Sequence, residues 1–160
     1  MKFKASLGRS ALIVTLGIIT LFIVVSWAAF FGLDPQSRPG LLPVGLLWIV
    51  IILCFMLRPR YYIVYEDRII IKRLVGSVTI PRNEIRLCRT ITEKELGPLI
   101  RVFGVGGLFG YFGKFFSSSL GAVRLYATQQ QNMVLLYVNK DRKILLSPDE
   151  PAAFTRKVSD

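Results

Sequence analysis

The chain has 160 residues, of which 52% are hydrophobic, and it carries a formal net charge of +11 at pH 7. This composition is too apolar for an ordinary soluble domain, and the apolar excess lies near the beginning of the chain. There is no histidine, and Cys54 and Cys88 are the two cysteines. Imidazole metal sites, histidine-based catalytic triads and a disulfide framework are therefore excluded.

The first part of the chain contains two long apolar runs. Residues 1–10 form a basic N-terminal segment, and the run 11–33 that follows has no charged residue. At about 1.5 Å rise per residue, this run can cross a hydrocarbon layer roughly 30 Å thick. The second run, 41–57, is shorter, and Pro43 lies near its start, where a missing amide proton costs a helix little. Because turn-forming residues fill 34–40, the two runs are predicted to form a transmembrane helical hairpin.

A cleavable signal peptide is the alternative interpretation of the first run. Lys2, Lys4 and Arg9 form a basic front end, and Ser26 to Ala28 is an acceptable small-x-small cleavage site. The apolar run is longer than the roughly 7 to 15 residues of a signal core, which favours a transmembrane helix.

The distribution of Lys and Arg predicts the orientation of the helices. The connecting segment contains Arg38 alone, whereas basic residues are frequent on the other two flanks. Those that follow the second run are Arg58, Arg60, Arg68, Lys72 and Arg73. By the positive-inside rule, both termini are expected in the cytoplasm, which makes this a multi-pass protein of the cell membrane.

Residues 58–160 show the two-residue alternation of β-strands and form the predicted cytoplasmic domain. Ile85, Leu87 and Ile91 are predicted to share the buried face of one strand. The predicted strands, seven in all, are 61–65, 68–74, 77–81, 85–91, 122–128, 132–138 and 142–146.

The chain ends with the signature of a short helix. Ser147 is a suitable N-cap, Pro148 suits the first helical position, and Glu150 completes a Ser-x-x-Glu capping box. Phe154 and Val158, four residues apart, form an apolar stripe that is predicted to pack against the sheet.

These elements resemble a known family. The stretches "RVFGVGGLFGYFGKFFSSSLGAVRLYAT" and "SPDEP" are similar to bacterial pleckstrin-homology-like (PH-like) domains attached to transmembrane hairpins. The resemblance implies a mainly-β, bent barrel of about seven strands with a C-terminal capping helix, and it supplies little chemistry. Lipid-binding PH domains of eukaryotes have basic residues in the loop between the first two strands. Here that loop is Glu66-Asp67, so an inositol-phosphate pocket is not expected there.

Residues 101–116, "RVFGVGGLFGYFGKFF", repeat glycine every third position from Gly104 to Gly113. The spacing fits neither a dinucleotide fingerprint nor a Walker loop. Three interpretations stay open: a strand bent by glycine at a barrel corner, an interfacial loop with aromatic rings beside basic residues, and a protein-docking surface. Alternation along a strand predicts that Phe103 and one other ring are buried and that the tip 108–116 is exposed.

The predicted function is a non-enzymatic, membrane-anchored binding or scaffold module at the cytoplasmic face of the membrane. The expected partners are anionic membrane lipid, a membrane protein or a second copy, and not nucleic acid; the alternative function is an accessory subunit that binds protein. Residues 58–160 contain 17 Lys and Arg against 9 Asp and Glu, which favours an anionic surface. No catalytic, cofactor-binding or metal-binding residue is predicted, since the serines of 117–119 beside Lys114 lack a recognisable oxyanion site. The candidate contact residues are Arg58, Arg60, Arg101, Phe109, Tyr111, Phe112, Lys114, Phe115 and Phe116.

Overall fold

The computed structural model describes residues 1–31, 41–139 and 142–159. The predicted turn at 34–40 and the last two residues of the first apolar run lie outside these ranges. The strands are β1 (Lys2–Lys4), β2 (Pro59–Val64), β3 (Arg68–Arg73), β4 (Ser77–Pro81), β5 (Ile85–Ile91), β6 (Leu99–Gly106), β7 (Tyr111–Ser117), β8 (Gly121–Ala127), β9 (Met133–Val138) and β10 (Arg142–Leu146). The helices are α1 (Arg9–Phe31), α2 (Leu41–Leu57), α3 (Glu93–Leu96) and α4 (Pro151–Ser159), with a 3-10 turn at Arg82–Glu84.

The two apolar runs form α1 and α2. Within the described ranges, α1 is the one helix long and apolar enough to cross a membrane, and α2 is a shorter apolar helix. At 1.5 Å per residue, α1 is about 34 Å long and α2 about 25 Å. Most of their large apolar side chains are exposed. A helix that is apolar on all sides and uncovered by protein is typical of a membrane span.

The strands form two sheets. The first has the order β1-β2-β3-β4, and the second has the order β5-β9-β10-β8-β7-β6. All neighbours pair antiparallel except β8 and β10, which are parallel. Each of the seven predicted strands is present, and the described part of the chain adds β1, β6 and β7. A mainly-β domain closed by a C-terminal helix is therefore confirmed.

Strand β1 makes the basic N-terminal segment part of the domain. Lys2 lies opposite Ile63 and Lys4 opposite Tyr61, so β1 extends the first sheet beside β2. Phe3 is buried, and its ring meets that of Phe154 edge-on at 5.2 Å between centroids. Both apolar helices are consequently an insertion between two paired strands.

The last helix packs between the sheets as predicted, but it starts later than the capping box implies. Phe154 and Val158 are buried in the core that contains Tyr62 and β9. The prediction that Ser147 is the N-cap is wrong, because α4 begins at Pro151. Ser147 is fully buried, and its Oγ accepts a 2.8 Å hydrogen bond from the amide of Thr128. A buried amide that would otherwise lack a partner takes the hydroxyl instead.

The prediction that Ile85, Leu87 and Ile91 share one buried face of β5 is also wrong, because Ile85 and Ile91 pack in separate cores. Leu87 is exposed, whereas Ile85 and Cys88 pack against the core that contains Tyr62. The pairing of β5 with β9 shifts register between Ile85 and Leu87. A bulge of this kind moves the following side chains to the opposite face of the sheet.

Replacing Phe3 by Ala tests whether β1 belongs to the core. We expect Phe3→Ala to lower the free energy of unfolding by roughly 3 to 5 kcal/mol, because a buried ring is lost. The matched control is Phe103→Ala, which removes a ring that is 76% exposed and should change stability by no more than about 0.5 kcal/mol. Equal shifts of the thermal midpoint for the two full-length variants in detergent would contradict the assignment of β1.

Candidate contact surface

The glycine stretch folds into a hairpin, here called the glycine hairpin (residues 99–117). Strands β6 and β7 pair antiparallel along their length. Gly104 lies directly opposite Gly113, and the amide of Gly107 donates a 2.9 Å hydrogen bond to the carbonyl of Gly110. The spacing of three thus places the four glycines in two facing pairs, one in the ladder and one at the turn.

Close approach of the two backbones requires glycine at the ladder pair. A Cβ on Gly113 would lie 2.3 Å from the carbonyl oxygen of Phe103, and one on Gly104 would lie 2.3 Å from that of Phe112. Both residues have φ +128°, which side chains rarely tolerate. The ladder glycines thus allow a close approach of two strands in a hairpin, whereas the predicted role was to bend a single strand at a barrel corner.

The tip of the glycine hairpin packs against both apolar helices. Phe109 and Phe112 are buried in a cluster with Ile51 and Cys54 of α2. The ring of Phe109 also meets that of Phe55 edge-on, with centroids 5.3 Å apart. The helices and the β domain are therefore joined by packing as well as by the chain itself.

A hydrogen bond from α1 holds the tip. The amide of Phe109, a residue with φ +56°, donates a 2.8 Å bond to Thr15 Oγ1. The Thr15 hydroxyl in turn donates to the carbonyl of Ala11 at 2.6 Å. Because Thr15 is buried, the bond satisfies a turn amide that would otherwise be unpaired among apolar groups.

The sides of the glycine hairpin are exposed where the sequence pattern predicts burial. Phe103 is 76% exposed, and Ile100 and Val102 are similarly uncovered. The predicted burial of Phe103 is wrong, and the tip 108–116 is exposed only at Lys114 and Phe116, because the helices cover much of the tip while β6 is the last strand of its sheet. Phe116 is about half exposed, so the outer side of the hairpin is an apolar surface.

The remaining candidates of the hairpin divide into exposed and buried residues. Arg101 and Lys114 are exposed, and Lys114 lies opposite Phe103 in the ladder. Phe115 is buried in a second core, to which β8 and β9 also contribute residues, and Tyr111 packs at the edge of that core. The exposed set thus consists of apolar side chains with two basic neighbours.

Arg58 and Arg60 lie apart from the hairpin, where α2 enters β2. Together with Lys4 of the adjacent β1, these two arginines line one cavity. Partial burial and, second, the charge of Arg60 lower the pKa of Arg58. In the described part of the chain, none of these three cations forms an ion pair. The sequence patterns do not place Lys4 beside these arginines, because that placement depends on the pairing of β1 with β2.

A mainly-β domain of two sheets closed by a terminal helix is the architecture of a PH-like domain. A family model described as bacterial PH domain matches residues 60–160. The chain belongs to this family. Comparisons with curated proteins and with solved structures give no match.

Alanine at the ladder glycine tests the close backbone approach. We expect Gly113→Ala to destabilise the protein by several kcal/mol for two reasons. The new Cβ clashes with a backbone carbonyl that cannot move away, and alanine is strained at this positive φ. Gly76→Ala is the control, since Gly76 has φ +74° and open space around it; strain alone should cost about 1 to 2 kcal/mol. Equal losses in thermal midpoint for the two variants would rule out the clash.

Valine at Thr15 tests the contact between helix and hairpin. Thr15→Val keeps the shape but leaves the Phe109 amide without its acceptor, which should cost about 1 to 3 kcal/mol. The matched control is Thr20→Val at an exposed position of α1, which should be nearly neutral. Hydrogen exchange should accelerate at Phe109 in the first variant alone; unchanged exchange there would mean that the tip does not depend on α1.

Proposed function

We propose that this protein is a membrane-anchored, non-enzymatic binding module in which α1 and α2 cross the membrane as a hairpin. The observation that carries the proposal is the pairing of β1 with β2, which flank the helices in the sequence. The PH-like domain is then fixed at the membrane surface and presents the side of the glycine hairpin to it.

The strand pairing supports two crossings rather than one. Lys4 lies opposite Tyr61, and the amide of Ala5 donates a 3.1 Å hydrogen bond to the carbonyl of Arg60. The start of α1 and the end of α2 therefore lie side by side, on the same side of any membrane. If α1 crosses the bilayer, the chain must return, and α2 is the apolar element available for the return.

The length of α2 supports a shallow insertion of the hairpin tip. Because α2 is about 25 Å long and a hydrocarbon layer is roughly 30 Å thick, no part of α2 is left over as a stalk outside the membrane. The tip shares a buried cluster with Ile51 of α2, which lies about 9 Å along the helix from Leu57. This contact draws Phe109 into the apolar layer.

The exposed side of the glycine hairpin is then at the depth of the lipid headgroups. Phe103 lies three residues before the end of β6 at Gly106, about 10 Å along the strand at 3.3 Å per residue. Apolar rings and basic side chains side by side, such as Phe103 and Lys114, suit this region, since the stems contact acyl chains while the charges reach phosphates. The Lys and Arg flanks favour a cytoplasmic location for the domain.

Protein binding at the same surface is the second candidate function. Strand β6 is an edge strand, and Ile100, Val102 and Phe103 are exposed along it. Such an edge can accept an extended segment of another chain through backbone hydrogen bonds. The protein would then be an accessory subunit of a membrane complex.

Reporter fusions test the two crossings. A reporter that is active only in the cytoplasm should be active at Asp160, and a reporter active only outside should be active when inserted at Ser37. We expect this pattern because the paired strands keep both helix ends on one side. Activity of the outside reporter at Asp160 would contradict the proposal.

Lipid quenching tests which partner meets the hairpin. A fluorophore on Phe103→Cys, with both native cysteines replaced by alanine, should be quenched by lipids that carry a nitroxide near the headgroup. The control is Asn83→Cys in the 3-10 turn, an exposed position beside the 66–67 loop, which should not be quenched. Equal quenching at the two positions would contradict lipid contact, and protection of position 103 by a co-purified protein would favour the second candidate.

A further inference from the structure

A basic cavity lies where the apolar helices join the sheet. It has a volume of about 310 Å³ and is bounded by β1, the residues after it and the start of β2. Lys4, Arg58 and Arg60 supply its charged side chains, and no acidic residue of the described chain lines it. A cavity with three cations and no counter-charge is suited to an anion.

Asp149 lies beside the cavity but forms no ion pair with these cations. The two carboxylate oxygens of Asp149 accept hydrogen bonds from the Ser6 amide at 2.8 Å and the Ser6 hydroxyl at 2.6 Å. Asp149 therefore orders the segment beside the cavity but lies outside its lining. The guanidinium of Arg58 is 4.8 Å from the centre of the Phe55 ring, which holds it at the end of α2.

Aromatic packing also fixes the position of the cluster. Tyr61 lies in the cavity wall, and its ring is 3.8 Å from Lys2 Nζ and 5.9 Å from the guanidinium carbon of Arg60. Cations stacked on rings lose fewer rotamers when they bind a ligand than free surface side chains do. The cluster is thus partly ordered before any anion arrives.

We propose that this cavity binds a phosphate group, either from a phospholipid headgroup or from a soluble phosphate ester. Lys4 of β1, Arg60 of β2 and Arg58 just before β2 can surround the oxygens of one phosphate, and an arginine can bind it in a bidentate manner. The site is distinct from the 66–67 loop, which lies at the other end of β2 and is acidic. The lipid source depends on the proposed membrane crossing, because only then does the end of α2 lie at headgroup depth.

The test uses the full chain in a neutral detergent. Native mass spectrometry measures retention of phosphatidylglycerol against phosphatidylcholine, and a second arm titrates glycerol phosphate at constant ionic strength. We expect the anionic ligand to bind, and the variant Arg58→Gln with Arg60→Gln to bind it about thirtyfold more weakly, given the loss of two basic side chains. Competition between glycerol phosphate and the lipid would identify the headgroup as the ligand, whereas binding of glycerol phosphate alone would identify a soluble ester.

The control removes two charges elsewhere. Lys94→Gln with Arg156→Gln changes exposed residues that do not line the cavity and should leave binding unchanged. If the first variant is unfolded, Lys4→Gln with Arg60→Gln replaces it, since both positions are exposed. Equal weakening in the control, or no anion binding in either arm, overturns the site. Anion binding in detergent does not require membrane crossing, so the reporter fusions can fail while this site stands, and the converse also holds.

Discussion

The pairing of β1 with β2 is the contact on which the rest of the structure depends. It is short, with three residue pairs, but it joins chain segments that are separated by both apolar helices. Burial of Phe3 against Phe154 and the 2.6 Å bond from the N-terminal ammonium group to the Val64 carbonyl reinforce it. The start of α1 and the end of α2 are therefore both held at the sheet by β1 and β2.

The glycine hairpin supplies the second connection between helices and domain. Its ladder pair lets the two backbones approach closely, and its turn places Phe109 with a positive φ beside Thr15. A conformation of this kind costs free energy and persists where surrounding contacts determine it. Here the surrounding contacts come from α1 and α2, so the shape of the hairpin and the presence of the helices are coupled.

Much of the fold follows from sequence patterns, and the exceptions have physical causes. Most of the predicted strands are short apolar runs between turn-forming residues, and the burial of Phe154 and Val158 follows from their spacing on a helix. Strand β1 is too short to show a period, and its partner lies more than fifty residues away. Local patterns do not contain such long-range pairing, and they likewise missed the use of Ser147 by a distant amide.

The candidate surface was harder to predict than the fold. Counting basic residues identifies Arg58 and Arg60, but Lys4 joins them only through β1. Alternation of faces fails in the glycine hairpin because a bulge between Arg101 and Phe103 shifts the ladder, and because helices cover one end of it. The polar Thr15 within an apolar helix is a signal of a contact, although its partner is not readable from sequence.

Disulfide cross-linking in membranes is a direct test of the pairing between β1 and β2. Lys4→Cys and Tyr61→Cys, introduced together after both native cysteines are replaced by alanine, place thiols on directly opposed residues of β1 and β2. Opposed strand residues have Cα atoms within the range that a disulfide spans. After mild oxidation, we expect loss of both free thiols, measured as the absence of maleimide labelling in the intact mass, while Lys4→Cys with Asn83→Cys keeps both. Two free thiols in the first variant would contradict the pairing of β1 with β2.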